Sequence, residues 1–225
     1  MAERPNLVVV HIVRHGEVHN PEKILYGRAL GFRLSVRGEQ MAAAAGKYLA
    51  EHSLARPVAY VAASPLERAQ QTAQVIADRF DQSVATDERL LESQNLFAGR
   101  RVRRRDLLRN MHRLYNPFRP SWDEPYRSIA ERMIAAVHAA RDVVAGDGSG
   151  GTAVLVSHQL PIWIMRRHLS KQRLWHSPSR RQCALGSVTS LTFRGSELTD
   201  IAYHVPAPEL VAAALAEDRA ARIIR

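Results

Sequence analysis

Apolar positions recur along this chain in two rhythms. Residues 6–13 (NLVVVHIV) form a short, β-branched, almost wholly apolar run, the pattern of a strand covered on both faces. Residues 58–64 (VAYVAAS) and 152–157 (TAVLVS) repeat that pattern. Between the runs the spacing changes to three and four. Ser35 opens an alanine-rich helical stretch through about Glu51. In SPLERAQQTAQVIADRF, which starts at Ser64, the residues Leu66, Ala69, Ala73, Ile76 and Phe80 share one helix face. Ser64, Pro65 and Glu67 read there as a capping box with proline at the first helical position. Residues 128–144 make another amphipathic helix, stopped by GDGSGG, and a further helix begins near Pro161. SVTSLTF (187–193) and ELTDIAYHV (197–205) read as a closing pair of strands, with a helical tail after Pro208. Strands alternating with helices predict an α/β, three-layer sandwich: a mostly parallel central sheet flanked by helices. The length, 225 residues, fits a single domain.

One stretch breaks the rhythm. Residues 100–126 are basic, polar and punctuated by proline, without a strand pattern, and read as a helical insertion. That stretch contains RRVRRR and much of the formal net charge of +10. Such an excess favours anionic partners: phosphorylated metabolites, nucleic acid or an acidic membrane surface. Individually its arginines read as a solvated helix face. Together with Trp122 and Tyr126 they are expected to form a lid over a substrate pocket. Cys183 is the one cysteine, which excludes an internal disulfide and a thiolate-rich metal cage. The N-terminal apolar run is too short for a signal peptide, and no run approaches the ~20 apolar residues of a membrane span. A cytoplasmic protein that does not engage a membrane is the expectation. GDGSGG precedes a strand and lacks a following Gly-Lys-Ser/Thr, so it reads as a turn rather than a nucleotide loop.

The chemistry gathers where the strands end. The first runs out into Arg14-His15-Gly16, the second into Ser64-Pro65 with Arg68 one turn on, the third into Ser157-His158. In α/β sheets, ligands bind beyond the carboxyl ends of the strands, so these ends can converge on one crevice. Two arginines and two histidines there suit a multiply charged anion, and guanidinium forks match phosphoryl oxygens best. Arg68 also lies near a helix N-terminus, which favours an anion, and Gly16 would let the loop backbone approach the ligand. Neighbouring positive charge and desolvation both disfavour an imidazolium, so His15 is expected to be neutral and able to attack phosphorus. His11, His15 and His19 stand four apart, but His11 lies within a strand run and Gly16 breaks any helix. A metal site is not expected, nor another cofactor.

These segments resemble the histidine phosphatase superfamily, which includes cofactor-dependent phosphoglycerate mutase. The matching pieces are VRHGE (13–17), Leu34-Ser35 followed by Gly38, ASPLERAQQTA (63–73) and VSH (156–158). The resemblance implies His15 as nucleophile, Arg14, Arg68 and His158 as the phosphate pocket, and Glu92 as the acid that protonates the leaving oxygen. Asn20 and Gln159 are expected as substrate contacts. The family's loop commonly reads His-Gly-x-Thr/Ser-x-x-Asn, whereas here Val18 lacks the hydroxyl and Asn20 arrives one residue early. Gln159 stands where glycine is common. Residues 100–126 and 175–191 resemble an uncharacterised phosphatase-type subgroup more than any mutase.

The function expected is a metal-independent phosphomonoesterase acting on a small phosphorylated metabolite through a phosphohistidine, with homodimerisation open. A mutase-type phosphotransferase is the near rival; it would need a phosphohistidine shielded from water and a bisphosphorylated primer. A basic nucleic-acid-binding protein is the rival of another class. No interleaved aromatic platform or nucleic-acid fold signature supports it, so no nucleic acid is expected as a partner. A gel shift that weakens steeply with salt would favour it.

Overall fold

The computed structural model describes residues 7–53, 57–94, 98–99, 124–146 and 150–223. Residues 100–123, most of the basic insertion, lie outside them, and with them the expected lid. Six strands form one sheet: β1 (Leu7–Arg14), β2 (Val58–Ala63), β3 (Val84–Thr86), β4 (Thr152–Ser157), β5 (Val188–Arg194) and β6 (Glu197–His204). Their order is β3-β2-β4-β1-β5-β6. The pairings β1–β4, β2–β4 and β2–β3 are parallel, and β5 joins β1 and β6 antiparallel. The sheet is mostly parallel, as the alternation of elements predicts. β3 escapes the hydrophobic pattern because VAT is short and only half-buried.

Among the described residues five α-helices accompany the sheet: α1 (Val36–His52), α2 (Glu67–Ala77), α3 (Tyr126–Ala145), α4 (Gln159–Leu169) and α5 (Pro208–Ile223). Residues alternate along β1 between two cores. Val8, Val10 and Ile12 meet Ile129, Met133 and Val137 of α3 and Ile162 and Met165 of α4. Val13 turns the other way, into a core with Leu49 of α1 and Ala69, Ala73 and Ile76 of α2. Two helices on each face make the three-layer arrangement. Two helix starts differ from the sequence reading, α3 beginning at Tyr126 rather than Ser128 and α4 at Gln159 rather than Pro161. Among the described residues no helix is long and apolar enough to cross a membrane.

His11 lies in this framework, buried at mid-strand, with Nδ1 2.8 Å from the Ser190 hydroxyl on the neighbouring strand. That contact places it away from His15 and His19. Burial, and then the charge of His52, pull its pKa from 6.5 to about 4. The unfolded chain therefore binds a proton that the folded chain refuses between those values. Stability from this group is complete above pH 6.5 and is lost as pH falls towards 4, by on the order of 3 kcal/mol. Urea unfolding at pH 7 and pH 4.5 should show a smaller loss in His11→Gln than in the wild type. Equal losses would remove His11 from the account.

Candidate active site

Parallel register places three strand ends side by side. Arg14 lies opposite Ser157 across the β1–β4 ladder, and Ala63 opposite Val156 across β2–β4. The residues that follow, His15, Ser64 and His158, are all buried at that edge. The backbone N–H of His15 donates to the Ser157 carbonyl at 3.1 Å, extending the ladder one residue beyond the strand. The imidazoles of His15 and His158 then stand 5.1 Å apart, centre to centre.

His15 is held in one tautomer. Its Nδ1 sits 2.8 Å from the Gly16 carbonyl, which can only accept, so Nδ1 carries the hydrogen and Nε2 keeps its lone pair. Burial, then the charges of Arg68 and Arg14, hold its pKa well below the ordinary histidine value, against a small opposing pull from that carbonyl. The same causes, burial first and then His15, Arg68 and Arg14, depress His158. Both rings are neutral at neutral pH.

Three donors converge without a protein acceptor. Arg14 Nε, Arg68 Nε and His158 Nδ1 are buried and make no hydrogen bond among the described residues. Unmatched buried donors are costly and rare, so a cluster of them marks a place for an acceptor. Each group is fixed by another bond. Arg14 donates Nη1 to the Cys183 carbonyl at 2.7 Å, and Arg68 donates Nη2 to the Gly27 carbonyl at 2.6 Å. Tyr26 lies under the Arg68 guanidinium, 4.7 Å from ring centre to Cζ, and edge-on to His15. His158 Nε2 is 2.8 Å from the Ser64 hydroxyl.

That last contact overturns the capping box expected at Ser64. The helix begins later, at Glu67, with Leu66 at its cap and no side-chain capping bond. Ser64 instead serves the site: its oxygen lies 3.4 Å from the Leu66 N–H and faces His158. Gly16 has a second reason to be glycine. A Cβ there would stand 2.2 Å from the Gly38 carbonyl oxygen, so close approach of α1 requires it. Ser35 caps that helix as the sequence predicts, accepting from the Gly38 N–H at 3.0 Å. Val18, where the family pattern has a hydroxyl, is buried and bridges to Leu34.

Glu92 follows a short turn anchored from below, because the Ser157 hydroxyl donates to the Leu90 carbonyl at 2.7 Å. Arg28 fixes the turn from the other side, donating Nε to the Glu92 carbonyl at 2.6 Å, and is itself held by Glu124. The Glu92 carboxylate accepts from the Ser93 N–H at 2.8 Å. Burial raises its pKa above the usual carboxyl value, while Ser93, Arg68, Arg14 and Arg181 pull the other way. The remaining two expected contacts also lie near Arg14. Both ends of the Asn20 amide bond to the Ile24 backbone, at 2.8 and 3.0 Å, which closes the 20–24 turn, and the residue lines the cleft beside Arg14. Gln159 makes a long contact, 3.5 Å, to the same Cys183 carbonyl that Arg14 uses. Tyr26, Arg28 and Arg181 carry no local sequence signal as site residues, while Ser64, at the polar end of the second strand, carries one that its capping pattern obscures; their neighbours come from distant segments.

Beside Arg14 an open cleft of about 820 Å³ runs past Tyr26 to α5. Lys23–Asp218, at 2.7 Å, ties that helix to the 20–24 turn, and Arg37–Glu217 ties it to α1. Among the described residues no group of three His, Cys, Asp or Glu side chains is placed to hold a metal ion.

Neutral imidazoles and unmatched guanidinium donors at the carboxyl edge of a parallel sheet define an enzyme of phosphoryl chemistry. The comparisons with known proteins give the family. Residues 10–203 match the family model for the histidine phosphatase superfamily (branch 1). The chain belongs to that superfamily, and its enzymatic class is that of a phosphatase. An uncharacterised protein of Mycobacterium tuberculosis, Rv0525, is 52% identical over 207 residues, covering 90% of this chain and 98% of that protein. Fructose-2,6-bisphosphatase TIGAR B of Danio rerio is 32% identical over 191 residues, 70% of this chain and 73% of its own length. Among solved structures, a mycobacterial glucosyl-3-phosphoglycerate phosphatase superposes with a TM-score of 0.69 at 23% identity, covering 88% of this chain and 98% of its own. Phosphoglycerate mutase of Bacillus anthracis gives 0.68 at 20% identity, over 94% and 98%. These two likenesses concern the fold.

Proposed function

We propose that the protein hydrolyses the phosphomonoester of a small metabolite through a phosphohistidine on His15. One observation carries the reading: a buried, neutral His15 with Nδ1–H fixed on the Gly16 carbonyl, so that Nε2 holds the reactive lone pair. In the first step Nε2 attacks phosphorus and the ester P–O bond breaks. The leaving oxygen takes a proton from Glu92, whose raised pKa suits a general acid. In the second step water attacks the phosphohistidine, its proton passes to the Glu92 carboxylate, and inorganic phosphate leaves with His15 restored. Arg14, Arg68 and His158 hold the phosphoryl oxygens through the three buried donors that lack acceptors. A Ser64 hydroxyl that donates to His158 Nε2 leaves Nδ1–H free to donate to phosphate.

The fish relative is named as a bisphosphatase, which supports hydrolysis, while a mutase shares the fold. Phosphate release from a panel of phosphorylated metabolites, with no bisphosphorylated primer, tests the proposal. Isomerised product appearing only when primer is added would favour a mutase.

Arg68→Lys checks the cradle. Lysine has a point charge where arginine has a fork, and it loses either the bond to Gly27 or the donor to phosphate. Loss of one preorganised donor costs on the order of 3 kcal/mol, about a hundredfold in kcat. A variant within twofold of wild type would place Arg68 outside the phosphate site.

A further inference from the structure

Arg181 takes no part in the chemistry above, yet it is built into the same neighbourhood. It lies on the loop before β5, two residues from Cys183, whose carbonyl anchors Arg14. Its Nε donates to Nε2 of His176 at 2.9 Å. His176 in turn donates Nδ1–H to the Leu174 carbonyl at 2.8 Å. Those two bonds require a neutral imidazole in one tautomer, used as a bracket for a guanidinium. The bracket is wedged in place: His176 is buried, with its ring 5.6 Å from Tyr126 and 6.0 Å from Trp163.

Arg28, Arg33, Arg37, Arg89, Arg127, Arg132 and Arg141 each pair with a carboxylate within 4.0 Å. Arg166 and Arg167 donate to backbone carbonyls instead, whereas Arg181 makes, among the described residues, the bond to His176 and no ion pair. With Nε spent on His176, the terminal Nη1 and Nη2 remain as a fork, the geometry that grips a carboxylate or phosphate. Position gives the fork its task. The phosphoryl group already has the buried, unmatched nitrogens of Arg14, Arg68 and His158. A fork two residues from the carbonyl that anchors Arg14 is left for the remainder of the substrate.

We infer that Arg181, bracketed by His176, binds a second anionic group on the leaving-group portion of the substrate. The substrate class is then a phosphomonoester that also carries a carboxylate or a second phosphate, an inference that rests on the phosphatase reading. A leaving group without an anionic substituent would leave the fork unmatched and bind more weakly.

Calorimetry on the His15→Ala protein, which binds without turnover, tests this with two ligand pairs. One is 3-phosphoglycerate against glycerol 3-phosphate, for a carboxylate; the other is fructose 1,6-bisphosphate against fructose 6-phosphate, for a phosphate. In at least one pair the second anion should tighten binding about tenfold or more, the scale of a charge-assisted fork. Adding Arg181→Met should bring that ratio close to one, and His176→Phe, which keeps the ring but removes the acceptor, should reduce it severalfold. Whichever pair responds names the anion. A ratio near one for both pairs before Arg181 is changed, or a ratio that Arg181→Met leaves intact, overturns the inference. Equal weakening of both members of a pair does so too, since it would assign Arg181 to the phosphoryl group. Phosphate release by the wild type is scored separately, so failure of the phosphatase reading is seen apart from these ratios.

Discussion

His15→Ala should lose turnover by on the order of 10⁶-fold, the scale found when a covalent nucleophile is deleted. No neighbouring group can replace it. His158 Nε2 is engaged by Ser64, and the arginines are permanent cations. The loss should be chemical rather than structural. The His15 backbone bond to the Ser157 carbonyl survives the substitution, and the β1–β4 and β1–β5 ladders do not involve the ring. Thermal unfolding should move by only a few degrees, as expected for a chain of this size losing about 1 kcal/mol. Chelators should leave the wild type unchanged, because the nucleophile is the imidazole itself. Residual activity above a few per cent in a folded alanine variant would end the nucleophile assignment.

Glu92→Gln should separate good leaving groups from poor ones. A sugar or glycerate alkoxide needs a proton as the P–O bond breaks, so its transfer should slow by about 10²–10⁴-fold. Nitrophenolate leaves without one. The first burst of nitrophenol from p-nitrophenyl phosphate should persist in the variant, followed by slow turnover as the phosphoenzyme waits for an activated water. The pH dependence follows from the same groups. Glu92 must hold a proton for the first step, so activity on alkyl esters falls as pH rises through its raised pKa. His15 must be neutral, and its lowered pKa keeps it so to well below pH 6.5. The optimum on alkyl esters is therefore displaced towards acid, and Glu92→Gln should abolish the Glu92-dependent alkaline limb. Equal losses in the nitrophenol burst and in alkyl ester transfer would give Glu92 a binding role instead.

Much of this site was legible because parallel strands deliver their carboxyl ends to one edge. Arg14-His15, Arg68 and Ser157-His158 each follow a short apolar run, and the β1–β4 and β2–β4 registers bring the runs level. Ser35 was legible for a local reason, since a cap needs only the next helical turn. Ser64 misleads for the opposite reason: its local pattern is a capping box, but His158, 94 residues away, engages the hydroxyl. Tertiary contact overrides the local preference there. The Asn20 amide closes a local turn onto Ile24 that the family pattern does not foretell. Tyr26 under Arg68 and His176 behind Arg181 depend on folding that brings distant loops together, and neither residue type nor spacing announces them.

The most direct measurement is of the covalent intermediate. Wild-type protein mixed with excess substrate, quenched in alkali within milliseconds and digested without acid, should yield a phosphorylated peptide whose phosphate maps to His15. With p-nitrophenyl phosphate as substrate, Glu92→Gln should accumulate more of it. The account predicts that this label forms at least as fast as phosphate is released and is absent from His15→Ala. Phosphate release at the full rate with no label, or a label confined to His158, would contradict it.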